Sequence, residues 1–231
     1  MPLYAGSRPI TAVYAGSRPI TAIYQGSRLL WTAADMADYF DRDDVIGLGP
    51  DWSAATGTAD PYLAAVVNGY VRMNIPNGLI SQSLKVARHR YIKSIRVQDD
   101  GYIETRVATK GDNDGSLYTQ VFDQLSDTAF TDGVGIELRA SGLYITRRSA
   151  GVDTRVTNCG AYLEGDVIRL AHIGRNYTMT RNGAFVGEFD DAGATVQQGL
   201  GYQSMGLAVS GIKGFLGPRH FSAGLDYIVC G

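Results

Sequence analysis

The chain has 231 residues, of which 45% are hydrophobic and 19% charged, with a formal net charge of -2. That supports a sizeable core and excludes global disorder, and it excludes a strongly basic nucleic-acid binder by its electrostatic footprint. Glycine is frequent at 29 residues, which suits a protein with many tight turns.

The N-terminal Met1-Pro2-Leu3-Tyr4 shows neither the charged start nor the apolar run of a secretory signal. No stretch reaches the length of a membrane span, so a soluble product without a visible export signal is expected. An internal repeat follows. Tyr4-Ala5-Gly6-Ser7-Arg8-Pro9-Ile10-Thr11-Ala12 recurs ten residues later from Tyr14, through Gly16, Pro19 and Ile20. A degenerate third copy carries Tyr24, Gly26 and Trp31. The period is too short for a helical solenoid and fits a strand with a Gly-Ser turn. Ile10, Ala12 and Tyr14 would face one side, Thr11 and Val13 the other, and Pro9 and Pro19 would sit at strand starts. So short a segment builds no core alone, so residues 1–31 are read as an arm that packs on something else.

Residues 32–60 read as a connecting segment and lead-in. Ala33 to Phe40 is expected to form one or two helical turns, and Trp52 to be buried. Residues 61–231 read as strands and turns throughout, including Tyr91 to Val97, Tyr102 to Val107, Val134 to Arg139 and Val167 to Ile173. Asn182-Gly183 is the strongest hairpin signal. About a dozen short strands without a long helix imply an all-β antiparallel sandwich or jelly roll.

Asp38-Tyr39-Phe40-Asp41-Arg42 with Leu48-Gly49-Pro50-Asp51-Trp52, Asp100-Gly101-Tyr102-Ile103-Glu104, and Gly165 to Leu170 with Ile173 to Thr178 and Arg181-Asn182-Gly183 carry a resemblance. The stretch from Asp38 to Cys230 resembles the concanavalin A-like (laminin-G-like) jelly-roll domains of phage tail proteins. The Tyr-x-Gly-Ser repeats before Trp31 resemble docking segments in minor tail proteins of siphophages that infect actinobacteria. The resemblance implies a virion structural protein, assembled in the host cytoplasm and carried in the tail. Its docking residues would be Tyr4, Gly6, Pro9, Ile10, Tyr14, Gly16, Pro19, Ile20, Tyr24, Gly26 and Trp31. Its partners would be other tail proteins, copies of itself in a trimer or other ring, and a host cell-envelope glycan, without nucleic acid or membrane insertion. The alternative is a carbohydrate-binding module or lectin without a virion role, and the third reading is a glycoside hydrolase.

Glycosidases on such folds need paired carboxylates on alternate residues of one strand. Glu188-Phe189-Asp190-Asp191-Ala192 is the nearest match and lacks the third acid, so the chain is expected not to be an enzyme and no catalytic residue is assigned. No cofactor is expected. Gly111-Asp112-Asn113-Asp114-Gly115 reads as a solvated turn, with calcium as the alternative. His89, His172 and His220 are scattered, which speaks against zinc. Cys159 and Cys230 read as buried thiols, with a disulfide as the alternative. Two basic clusters, Arg147-Arg148 and Lys85 to Lys93, read as solvated strand faces, or else as contacts for an anionic envelope polymer.

Overall fold

The protein is described by a computed structural model. It describes residues 36–96 and 98–231 with their side chains, and before them only the backbone of six short strands. Those strands form three hairpins: β1 (Tyr4–Ala5) with β2 (Arg8–Pro9), β3 (Val13–Ala15) with β4 (Arg18–Ile20), and β5 (Ala22–Gln25) with β6 (Arg28–Thr32). Tyr4 pairs with Pro9, Tyr14 with Pro19, and Ile23 with Trp31. Each pair flanks a Gly-Ser dipeptide, and the turn expected there lies outside the described residues. Of the docking positions, Gly6, Ile10, Gly16 and Gly26 lie outside the described residues. Tyr4, Pro9, Tyr14, Pro19, Ile20, Tyr24 and Trp31 are described as strand backbone only.

The remaining strands are β7 (Met36–Asp38), β8 (Val45–Ile46), β9 (Trp52–Ala54), β10 (Ala64–Val67), β11 (Tyr70–Met73) and β12 (Gln82–Tyr91). They continue with β13 (Gly101–Thr109), β14 (Tyr118–Leu125), β15 (Gly133–Arg139), β16 (Gly142–Ser149), β17 (Val152–Asn158) and β18 (Val167–Ile173). The last are β19 (Asn176–Arg181), β20 (Ala184–Asp190), β21 (Ser204–Lys213), β22 (Arg219–Phe221) and β23 (Gly224–Cys230). They form two antiparallel sheets. One has nine strands, ordered β20-β19-β18-β13-β23-β11-β10-β8 with β7 also on β23. The other has eight, ordered β17-β16-β15-β14-β21-β12-β9 with β22 also on β21. This is the all-β antiparallel sandwich expected.

Period-two alternation decides which side chains meet between the sheets. From the eight-stranded sheet Val121, Ile136, Leu138, Ile145, Leu207 and Val209 point inward. From the nine-stranded sheet Ile103, Val107, Ile168, Leu170, Tyr177 and Ile228 meet them. Arg181 pairs with Ala184, and Asn182 and Gly183 take φ of 52° and 81°. Both residues of that two-residue turn are left-handed, the type I′ geometry that the Asn-Gly pair favours.

Two local expectations are corrected. Met36, Ala37 and Asp38 form a strand rather than a helical turn, because they pair with Cys230, Val229 and Ile228 and bury the Met36 side chain. The segment 32–60 in fact supplies β7, β8 and β9 to the two sheets. The strand expected from Tyr91 to Val97 ends at Tyr91. Beyond it the chain turns Arg96 into the interior, where Nε and Nη2 donate to the carbonyls of Gln98 and Asp99.

Cys159 and Cys230 are both buried free thiols, and burial raises the Cys159 pKa. Among the described residues no helix is long and apolar enough to cross a membrane.

Candidate functional site

The outer face of the eight-stranded sheet is where the polar chemistry collects. In β14, Val121 points into the core, so Gln120 and Phe122 point out. In β15, Ile136 and Leu138 point in, so Glu137 and Arg139 point out. By the same alternation Tyr144, Thr146 and Arg148 of β16 face outward. Arg88 and Arg90 of β12 do too, since Ala87, His89 and Tyr91 are buried. Cross-strand register then lines these residues up. Arg88 and Gln120 both pair with Ala208, Gln120 pairs with Glu137, and Glu137 pairs with Tyr144. The row Arg88–Ala208–Gln120–Glu137–Tyr144 crosses five adjacent strands.

An outer face would ordinarily be solvated, yet Gln120 and Glu137 are each 1% exposed. Such burial demands partners for a carboxylate. Gln120 Nε2 donates to Glu137 Oε2 at 2.7 Å. Arg139 Nε donates to Glu137 Oε1, and Arg155 Nε lies 3.6 Å from the same oxygen. One carboxylate thus sits among two guanidinium groups and an amide. Gln120 Oε1 and Arg88 Nε, on either side of Ala208, are buried polar atoms without a hydrogen-bond partner among the described residues. They are one spare acceptor and one spare donor.

Next to this row is a cavity of about 340 Å³, lined by Arg88, Arg90, Arg148, Phe130, Thr56 and Ser53 among others. Phe130 of its lining belongs to a small second cluster with Phe122, Leu125 and Ala208, and packs edge to face on Phe122 at 5.5 Å. Gly206 lets Leu125 and Phe130 pack down on the sheet, because a Cβ there would lie 2.6 Å from Leu125 Cδ2 and 2.8 Å from Phe130 Cε2. Arg148 is fixed by donating Nε–H to the Phe130 carbonyl at 2.8 Å and Nη1–H to Asp153 Oδ1 at 2.6 Å.

The strands of this sheet carry three carboxylates, Asp123, Glu137 and Asp153. Glu137 and Asp153 face outward. Asp123 faces inward at a bulge in the β14–β21 pairing, where Gln124 takes a φ of 49°. There Arg96 Nη1 donates to Asp123 Oδ2 at 2.7 Å, His172 Nε2 lies 3.1 Å from the same oxygen, and the Cys230 thiol donates to Oδ1 at 3.5 Å. Burial pushes the Asp123 pKa up, but the Arg96 charge and the His172 hydrogen bond outweigh it and hold the carboxyl at about 2. This network ties the two sheets together beneath the outer face.

The sequence features considered earlier fall elsewhere. Glu188 and Asp190 are exposed on β20, the edge strand of the other sheet. Asp112 Oδ2 accepts the Phe221 N–H of β22 at 2.7 Å and Asp114 Oδ1 accepts the Ser116 N–H of its own loop at 2.8 Å, so both carboxylates are engaged. No group of three or more His, Cys, Asp or Glu is placed to hold a metal ion among the described residues. The solvated-face reading of the basic clusters is corrected. Arg88 and Arg90 are half-buried and meet Arg148 across the cavity, while His89 turns inward and accepts the Ala64 N–H at 3.1 Å. Sequence reasoning missed Glu137 and this convergence. The signal was the strand Val134-Gly135-Ile136-Glu137-Leu138-Arg139, whose polar members all face one way.

No protein-family model matches the chain, and no curated protein matches it. Solved structures do. The chain is similar to the carbohydrate-binding module CBM66 from Bacillus subtilis, with 13% identity and a TM-score of 0.51 over 80% of this chain and 92% of that one. It is similar to a prokaryotic β-1,3-1,4-glucanase (lichenase) from a mouse hindgut metagenome, with 12% identity and a TM-score of 0.58 over 84% and 97%. It is also similar to the β-glucanase of Bacillus licheniformis, with 12% identity and a TM-score of 0.56 over 86% and 98%. These neighbours support the jelly-roll half of the resemblance and not the tail-protein half. They also overturn the expectation that the chain is not an enzyme, which rested on the acid missing after Asp190: glucanases stand among the proteins that share its architecture. The chain has a concanavalin A-like jelly-roll fold, common to carbohydrate-binding modules and glucanases.

Proposed function

We propose that the sandwich binds a glycan on the outer face of its eight-stranded sheet. The observation that carries this reading is the sunken polar row Arg88–Gln120–Glu137–Tyr144, with a spare donor and a spare acceptor on either side of Ala208. Sugar hydroxyls both donate and accept, and they would satisfy these atoms once a side-chain movement uncovers them, since both are closed to solvent. Half-buried Tyr144 and Tyr118 stand beside the polar groups with Arg155 and Arg139 over their rings, and would offer a sugar their hydroxyls and ring edges. The shared fold of a carbohydrate-binding module adds to this support.

A second reading is hydrolysis of the bound glycan, favoured by the glucanase neighbours and by the buried carboxylate of Glu137. Both readings are tested together. The chain is titrated with a panel of plant and bacterial cell-wall polysaccharides, and release of reducing ends is followed on every glycan that binds. Saturable binding that is lost in Gln120→Ala and Tyr144→Ala supports the site. Turnover that is abolished in Glu137→Gln, with binding retained, assigns Glu137 to chemistry. Binding that is indifferent to all three substitutions rejects this face.

The arm adds a separate role, docking into a larger assembly of the phage-tail kind, with the arm as an exchangeable strand donor. The three tandem hairpins support it, since backbone edges of that sort recruit partners by strand addition. A chain lacking residues 2–31 that still joins such a particle would reject docking by the arm.

A further inference from the structure

The cavity beside the polar row is strongly cationic. Arg88, Arg90 and Arg148 line it, and no Asp or Glu does. Arg148 is balanced by Asp153 at 2.6 Å. The Arg90 side chain makes no hydrogen bond or ion pair among the described residues, and the Arg88 side chain meets only the Tyr118 hydroxyl, which accepts from Nη2 at 3.2 Å. Two guanidinium groups therefore point into one recess without a counter-charge. Like charges two residues apart on one strand face, and half-buried, repel each other, and burial weakens the screening that water would give.

From this we infer that the ligand of the outer face is an anionic glycan, whose carboxylate or sulfate ester sits between Arg88 and Arg90. This rests on the glycan-binding reading of the face and names the chemical class that it selects. The guanidinium is suited to the task, because its planar donors match a carboxylate or sulfate two bonds at a time. Arg148, already tied to Asp153 and stacked over Phe130 at 5.3 Å, is a positioning residue that holds the far wall. The serine and threonine hydroxyls of the lining, Ser53, Thr56 and Thr128, supply neutral donors for the ring oxygens. Arg88 belongs to both the recess and the row, so a chain bound there would run from an acidic sugar at Arg90 across the row toward Tyr144.

The test uses the full chain and two matched pairs of polymers, polygalacturonate with its methyl ester and dextran sulfate with dextran. Calorimetric titration at low and moderate salt reads the affinity. The expected result is that one or both acidic polymers bind at least tenfold more tightly than their neutral partner, and that salt weakens this binding. Arg90→Gln and Arg88→Gln should each reduce it tenfold or more, while Lys93→Gln, an equal loss of charge away from the cavity, should not. Tighter binding of the carboxylated or of the sulfated member identifies the anion. Equal binding of charged and neutral members, or acidic binding unchanged in both arginine variants, overturns the inference and leaves the glycan reading standing. Failure of all four polymers and of the wider polysaccharide panel overturns both.

Discussion

The indole Nε1 of Trp52 donates a hydrogen bond to Asp38 Oδ2 at 2.7 Å, joining the first strand of one sheet to the edge strand of the other. Asp38 also accepts the Phe40 N–H and both terminal nitrogens of Arg42, at 2.9, 2.7 and 3.0 Å. Arg42 reaches on to the Leu48 carbonyl. The run from Asp38 to Trp52 is thus one interlocked corner around a single carboxylate. Trp52→Phe keeps the aromatic packing on Phe40 and Tyr91 but removes one donor from Asp38. It should lower unfolding stability by about 1–2 kcal/mol, and Asp38→Ala, which strands the Arg42 and Trp52 donors together, by about 2–4 kcal/mol. Urea unfolding followed by tryptophan fluorescence for Asp38→Ala, and by circular dichroism for Trp52→Phe, checks the order. Equal small losses would show that the corner is held by packing alone.

The Arg96–Asp123 pair is 1% exposed on both sides. Breaking it leaves a buried charge uncompensated, which typically costs about 3–5 kcal/mol. Arg96→Met should therefore be severely destabilised, whereas Arg96→Met combined with Asp123→Leu should recover much of the loss. Thermal unfolding of the two variants decides. If the double variant is no better than the single one, the pair matters for the shape of the bulge at Gln124 rather than for its charges.

His89 gives the protein a pH dependence on the acid side of neutrality. Burial lowers its pKa from 6.5 to about 4, so the fold holds the neutral ring. In the unfolded chain the ring binds a proton first. The contribution of His89 is therefore complete above pH 6.5 and declines as the pH falls to about 4. Across that window it amounts to about 3 kcal/mol, from a slope of about 1.4 kcal/mol per pH unit. Asp123, held at about 2 against an ordinary 3.8, adds a further loss below about pH 4. His89→Gln keeps an acceptor for the Ala64 N–H and cannot titrate. Its stability, measured between pH 7 and 4.5, should change with a shallower slope than that of the unaltered chain. Parallel slopes would place the acid sensitivity elsewhere.

What the sequence disclosed follows from which interactions are local. Alternation marks Val134 to Arg139 as a strand, and the Asn182-Gly183 pair marks its hairpin, because both signals reside in neighbouring residues. Met36 to Asp38 misled because their periodicity is compatible with a helical turn, and only pairing with Cys230, almost at the other end of the chain, decides for a strand. The site was hidden for the same reason. Arg88, Gln120, Glu137 and Tyr144 belong to four separate strands, and β21 is inserted between β12 and β14 far out of chain order. Each residue alone reads as a polar position on a strand, and only sheet order makes them a row. The basic clusters were visible, but their division into an inward His89 and outward Arg88 and Arg90 requires knowing which face is the core.

The pairing of β7 sets where the chain can be cut. Deleting residues 2–31 leaves β7, the Asp38 corner and both sheets intact, since the three hairpins form sheets of their own. That truncated chain should unfold at about the same denaturant concentration as the whole. Deleting residues 2–41 removes β7 from the C-terminal strand, empties the buried sites of Met36 and Phe40, and takes away the carboxylate that Trp52 uses. Loss of two large buried side chains costs about 2–5 kcal/mol each. The longer deletion should accordingly be poorly folded, aggregate through the exposed edge of β23, or both. Circular dichroism and size-exclusion chromatography of the two truncations give the answer. A shorter truncation that unfolds early would mean that the arm stabilises the sandwich, and a longer one that stays folded and monomeric would mean that β7 is dispensable to it.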